Sequence, residues 1–169
     1  MKVLSLFSGI GAFEKALEKL EIEYELVGFS EIDKYAIKSY CAVHGVDENL
    51  NLGDITKIDI NKLPKDIDFV VGGFPCQTFS IAGNRKGFED MRGTMCFYMA
   101  NIIKQTKPKY FMFENVQGLL NHDKGRTIRI ILEEFSKLGY EITMDLLNAK
   151  DFRNSTKSFS YILHREEIR

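Results

Sequence analysis

With 169 residues, 44% of them hydrophobic and 28% charged, the chain is one ordinary globular domain, long enough for a real core. A net charge of −1 argues against a basic nucleic-acid arm, though not against a local basic patch. No apolar run approaches the roughly 18 residues of a membrane span, and "MKVLSLFSGIGAF" is too short and too broken by glycine for a signal peptide, so a cytoplasmic protein is expected.

The elements alternate along the chain. "KVLSLF" is a short apolar strand stopped by Ser8 and Gly9. "AFEKALEKL" spaces Phe13, Leu17 and Leu20 as a helix does. "YELVGFS" reads as a second strand, and "DKYAIKSYCAVHG" as a second helix closed by Gly45. "IDFVVGGF" is a continuous apolar strand of the kind buried on both faces. A long polar loop, "SIAGNRKGFEDMRG", leads to the helix "TMCFYMANIIKQTK", with Pro108 in the turn after it. The strand "KYFMFENV", the amphipathic helix "RTIRIILEEFSKLGY" and a last strand within "EITMDLLNAKDF" follow. This order predicts an α/β fold: a mostly parallel sheet with helices on both faces. No repeat, low-complexity segment or linker interrupts it.

In such a sheet, ligands bind beyond the carboxyl ends of the strands, and the unusual residues sit there. The first strand ends in "FSGIGAF", where Gly9 and Gly11 let the backbone pass close to a ligand before a helix N-terminus. Many glycine-rich turns bind nothing, and this one lacks the full GxGxxG. The second strand ends in "SEID". Glu31 is placed to accept hydrogen bonds from ribose hydroxyls, while a carboxylate here, Asp33 included, is equally a helix N-cap. "GDI" offers Asp54 as an acceptor for an adenine amino group. Together the three suggest a nucleoside cofactor.

The next strand delivers "GGFPCQTFS". The three cysteines, Cys41, Cys76 and Cys96, form no CxxC, so neither a disulfide framework nor a metal site is expected. A core thiol is the commoner fate, and it suits Cys41 and Cys96 on helices. It suits Cys76, in a loop after a proline, poorly. A thiolate there is a nucleophile if a cation or a helix terminus lowers its pKa. Glu114, ending "FENV" on the neighbouring strand, faces the same cleft. A thiol and a carboxyl beside a nucleoside site suggest covalent catalysis with an acid partner.

"FSGIGAF", "EID", "GDI", "GGFPCQTFS", "GFEDMRGTM", "FENV" and the helix with "LGY", in that order over residues 3 to about 152, resemble the N-terminal catalytic part of the DNA (cytosine-5-)-methyltransferases. The resemblance implies a Rossmann-like S-adenosylmethionine-dependent methyltransferase fold, incomplete at its C-terminal end, in a bacterial or phage-encoded protein of restriction-modification type. It implies that Cys76 adds to carbon 6 of a cytosine flipped out of double-stranded DNA. Glu114 would bind the ring nitrogen and amino group, with Pro75, Gln77 and Asn115 as the other motif residues of the catalytic site. S-adenosyl-L-methionine would lie against Phe7, Gly9, Ile10, Gly11 and Gly73, with its ribose on Glu31, its adenine on Ile32, Asp54 and Ile55, and Met95 packed beside it. The loop carrying Ser80, Arg85, Lys86 and Arg92, with Gly83, Gly87 and Gly93, resembles one that closes over the flipped base and meets phosphates.

The chain departs from the family after "NAKDF". A segment like "GIPQNRERIYIIG" is expected there, and "RNSTKSFSYILHREE" stands in its place. Arg153 to Ser158 can be encoded AGG AAT TCC ACA AAA TCG, and one nucleotide later the same string reads Gly-Ile-Pro-Gln-Asn-Arg. The expected organisation is therefore a catalytic domain over residues 1–152 and a divergent tail over 153–169, translated out of frame. The family's target-recognition domain is then absent or supplied by a second polypeptide, and the chain alone is inactive or a half-enzyme. "SFSYILH" is apolar enough to add a strand even so. The nucleotide sequence checks this: codons that exclude the shifted reading across residues 153–158 would contradict it.

Overall fold

Lys2–Leu6 forms the first strand, β1, and Val3, Leu4 and Leu6 are wholly buried along it. A strand covered on both faces needs such a continuous apolar run rather than alternation. The computed structural model describes residues 1–75, 94–148 and 159–164. After β1 come α1 (Ala12–Lys19), β2 (Glu25–Ser30), α2 (Lys34–His44), β3 (Phe69–Gly73), α3 (Met95–Thr106), β4 (Tyr110–Glu114), the single turn α4 (Gly118–Asn121), α5 (Arg126–Lys137), β5 (Thr143–Asn148) and β6 (Phe159–His164). They build one six-stranded sheet in the order β2-β1-β3-β4-β6-β5. The first four strands pair in parallel, and β6 pairs antiparallel with both β4 and β5. The α/β alternation read from the sequence is thus observed, and the segment "SFSYILH" does contribute a strand.

Helices cover both faces. Val3 and Val71 pack with Leu17 of α1, and Phe29 with Ile37 and Tyr40 of α2. On the opposite face Leu4, Leu6, Val70, Phe111 and Phe113 meet α3 and α5 in the main core. An aromatic cluster ties β4 to α5 there: Phe111 lies 5.2 Å from Phe135, 5.0 Å from Phe113 and 4.9 Å from Tyr140, between ring centroids. Such pairs add about 0.5–1.5 kcal/mol each beyond their buried area.

The helix boundaries have local causes. Asp33 caps α2, accepting hydrogen bonds from the amides of Tyr35 and Ala36, and Gly45 ends it at φ 64°. Thr94 caps α3 through the Phe97 amide. Between β2 and β3 the chain forms no further strand. It makes an isolated bridge, Phe29 to Asn51, and then 3-10 turns whose preceding aspartates, Asp54 and Asp59, accept amide hydrogen bonds from Thr56 and Asn61.

β3 lies unusually close to β1 at Gly72. A Cβ there would stand 2.3 Å from the Leu6 carbonyl oxygen, a backbone atom that cannot turn aside. Gly72→Ala is expected to cost about 2–4 kcal/mol in denaturant unfolding. Gly28→Ala, which meets the flexible Leu52 side chain at 3.2 Å, costs less.

Candidate active site

The four parallel strands end level with one another. Leu6 lies opposite Ser30 on one side and Gly72 on the other, and Gly73 lies opposite Glu114. The glycine turn after β1, Glu31 after β2, Pro75 after β3 and Asn115 after β4 therefore leave the sheet along one edge. Cys76, Gln77, Ser80, Arg85, Lys86 and Arg92, with the loop glycines 83, 87 and 93, lie outside the described residues. So do residues 149–158 and 165–169.

The turn after β1 is built from left-handed backbone, with φ of 52° at Phe7, 55° at Gly9 and 83° at Gly11. A positive φ on a phenylalanine is costly and survives only where the surroundings enforce it. The Ser8 amide donates to the Ser30 carbonyl at 3.1 Å, and the Gly11 amide to the Ser8 carbonyl at 2.9 Å. Gly9 needs its glycine for conformation alone, since a Cβ there would meet nothing within 4 Å. Gly11 needs it for space as well, because a Cβ would fall 2.0 Å from Nε2 of His44. The Ser8 hydroxyl is buried with no partner among the described residues. Ile10 projects outward, 64% exposed.

The two carboxylates after β2 divide the tasks that the sequence left open between them. Asp33 is the helix cap. Glu31 accepts from the Gly9 amide at 2.9 Å through one oxygen and from the amides of Ile32 and Asp33 through the other. It thereby joins the turn after β1 to the end of β2. Asn51 brackets its backbone: Oδ1 accepts from the amides of Glu31 and Gly53, and Nδ2 donates to the Glu31 carbonyl. Sequence reasoning missed Asn51. Its signal was an asparagine two residues before Gly53, which takes φ 69°. Beside Glu31, Ile32 is 76% exposed, an apolar surface in the open.

Asp54 and Ile55 look different in three dimensions. Asp54 accepts from the amide and hydroxyl of Thr56, with the Lys57 ammonium 3.4 Å away. The Thr56 amide is the leading reason that its carboxyl sits below the usual range. Ile55 is buried in the main core, so its side chain does not line the edge. Met95 opens α3 and is partly buried against the same core.

At the other end, Gly73 makes room for Glu114. A Cβ on it would stand 3.0 Å from Glu114 Oε2. Asn115, only 4% exposed, donates from Nδ2 to the Phe74 carbonyl at 2.6 Å and accepts from the Val116 amide at 2.9 Å. It fastens the end of β3 to the end of β4, immediately before the exposed Pro75. Cys96 is fully buried and its thiol is pushed well up by desolvation, so it is a neutral core side chain. Among the described residues no group of three or more His, Cys, Asp or Glu could hold a metal, and no helix is long and apolar enough to cross a membrane.

This edge presents a glycine turn, a carboxylate and an open apolar side chain, a set that fits a nucleoside carrying an amino-acid group. Residues 1–156 match the family model described as C-5 cytosine-specific DNA methylase. The orphan methyltransferase M.Rho11sI of Bacillus phage rho11s is 62% identical over 152 residues, covering 90% of this chain and 30% of its own length. M.SPRI of Bacillus phage SPR is 60% identical, with 90% and 34% covered, and the type II methyltransferase M1.ScrFI of Lactococcus lactis subsp. cremoris 48%, with 89% and 38%. The chain thus spans about a third of the length of these relatives. The crystal structure of S. pombe Dnmt2 methyltransferase superposes with a TM-score of 0.73 at 22% identity, over 100% of this chain and 50% of that one, a likeness of fold. The fold is the Rossmann-like sheet of the methyltransferases. The chain belongs to the C-5 cytosine-specific DNA methylases.

Asn115→Ala removes both fastenings. A loss of about 1–3 kcal/mol in denaturant unfolding is expected.

Proposed function

We propose that this chain carries the cofactor and cytosine chemistry of a DNA cytosine carbon-5 methyltransferase, in the manner of phage orphan or restriction-modification enzymes. The observation that carries the reading is the level ending of β1, β2, β3 and β4. It gathers the glycine turn, Glu31, the Pro75 segment and Glu114 along one edge, inside a chain of this family.

S-adenosyl-L-methionine would supply an electrophilic methyl group. Its amino-acid end would lie against Phe7 and the Gly9–Gly11 turn, its ribose on Glu31 and its adenine against Ile32. Gly73 and Met95 would flank it. Asp54 is already committed to its own turn and Ile55 to the core, so at the adenine edge they would act through backbone and turn shape.

The chemistry is assigned to Cys76 and Glu114. The Cys76 thiolate forms a bond to carbon 6 of a flipped cytosine, and the electron pair moves to carbon 5. Glu114, hydrogen-bonded to the ring nitrogen, makes the ring accept that attack. Carbon 5, made nucleophilic in this way, would take the methyl group as the donor's sulfonium–methyl bond breaks and releases the thioether. Loss of the carbon 5 proton to a base would then return the electron pair that breaks the bond to Cys76. Pro75, Gln77 and Asn115 are assigned to the same catalytic site. Ser80, Arg85, Lys86 and Arg92 are assigned to DNA phosphates.

We assign residues 1–152 to this catalytic domain and 153–169 to a divergent tail read out of frame. Recognition of a DNA sequence is assigned to a region outside residues 1–152, which a second polypeptide would supply. A second reading, cofactor binding without methylation, is favoured by the family match stopping at residue 156.

Calorimetry with S-adenosylmethionine, then incubation with duplex DNA carrying 5-fluorocytosine, separates the readings. The fluorine blocks proton loss, so the adduct persists. Cofactor binding with a denaturation-stable DNA adduct, abolished by Cys76→Ser, is expected if the chemistry resides here. Binding without an adduct supports the second reading, and no binding contradicts both.

A further inference from the structure

The glycine turn has a support that its own sequence does not contain. His44, in the last turn of α2, is buried at its side chain. Its Nε2 lies 3.1 Å from the Ile10 carbonyl oxygen and its Nδ1 lies 2.9 Å from Glu18 Oε1 on α1. Both partners are acceptors, so the ring satisfies both only when both nitrogens carry hydrogen. Glu18 is suited to that: hydrogen bonds from Lys15 and then His44 hold its carboxyl below the usual range. The ring's orientation is fixed from the side. Tyr40 lies 4.8 Å from it between centroids and donates its hydroxyl to the buried Glu14 at 2.9 Å. Gly11 completes the fit, since any side chain there would occupy the place of the imidazole.

We propose that His44 is a positioning residue for the methyl-donor site: its Nε2–H clamps the Ile10 carbonyl and so sets the path of the Ser8–Gly11 turn against which the donor's amino-acid end lies. The proposal rests on the cofactor placement given above. The clamp works at the point where it has most leverage. Ile10 sits between the two left-handed glycines, where neighbouring backbone restrains the chain least. The Glu31–Gly9 hydrogen bond holds the turn from the β2 side, and His44 holds it from the α1–α2 side. A turn fixed from both sides binds its ligand without first losing conformational freedom.

His44→Phe keeps a ring against Tyr40 and removes both donors. His44→Gln keeps an N–H able to reach the Ile10 carbonyl. Two readings are taken on the purified chain: the S-adenosylmethionine dissociation constant by calorimetry, and amide hydrogen exchange at Gly11, whose N–H donates to Ser8. His44→Phe is expected to weaken binding about tenfold and to speed Gly11 exchange, the scale of one lost hydrogen bond. His44→Gln should restore both largely, even where its melting temperature stays low, an outcome that a purely structural role does not give. Should His44→Phe not fold, Glu18→Ala, a surface change that removes the acceptor at the ring's far nitrogen, should move both readings the same way to a smaller extent. Wild-type binding and exchange in His44→Phe would overturn the clamp. Faster exchange in His44→Phe with no cofactor binding by the wild type would uphold the clamp and overturn the cofactor placement instead.

Discussion

The candidate site depends on one constraint, the register of four parallel strands. Opposite Leu6 stand Ser30 and Gly72, and opposite Gly73 stands Glu114. A slip of one residue in any pairing would turn every side chain of that strand to the other face. It would also move one of the four exits away from the common edge. Gly72 shows how tightly this is set, because the Leu6 carbonyl occupies the place a side chain would take. The two-faced core enforces the rest. Val3 and Val71 must reach α1 while Leu4, Leu6 and Val70 must reach α3 and α5.

From that edge, backbone hydrogen bonds do most of the shaping. Glu31 receives three amides, and one of them belongs to the turn after β1. Asn51 then holds the backbone of Glu31 on both sides. Asn115 does the matching task at the opposite end, between Phe74 and Val116. These side chains are spent on fixing loops. The groups left facing outward, Ile10 and Ile32 among them, are the surface that the proposed ligand would meet. Exposed apolar side chains beside a carboxylate and a glycine turn are what an adenosyl group would cover.

Much of this was legible in the sequence, for physical reasons. Helix ends were written in Gly45 and the turn before Pro108, and buried parallel strands in the runs "KVLSLF" and "DFVV". The turn after β1 and Glu31 at the end of β2 stood out because glycine and carboxylate are out of place in an apolar sheet. What was not legible was long-range. The choice between Glu31 and Asp33 as helix cap follows from Gly9, more than twenty residues away. Asp54 reads as an open acceptor, but its own Thr56 takes it. Ile55 reads as lining and is core. His44 gave no signal, because its partners, Ile10 and Glu18, are brought to it only by the packing of α1 on α2. The segment Phe159–His164 pairs as a strand with β5.

The most direct test is a crystal structure of the chain with S-adenosylhomocysteine. The account predicts the amino-acid end against the Ser8–Gly11 turn, the ribose hydroxyls on Glu31 and the adenine beside Ile32. A ligand bound instead on the outer face of α1, in the groove lined by Lys15, Ala16, Lys19 and Val43 and away from Glu31 and Ile32, would contradict it.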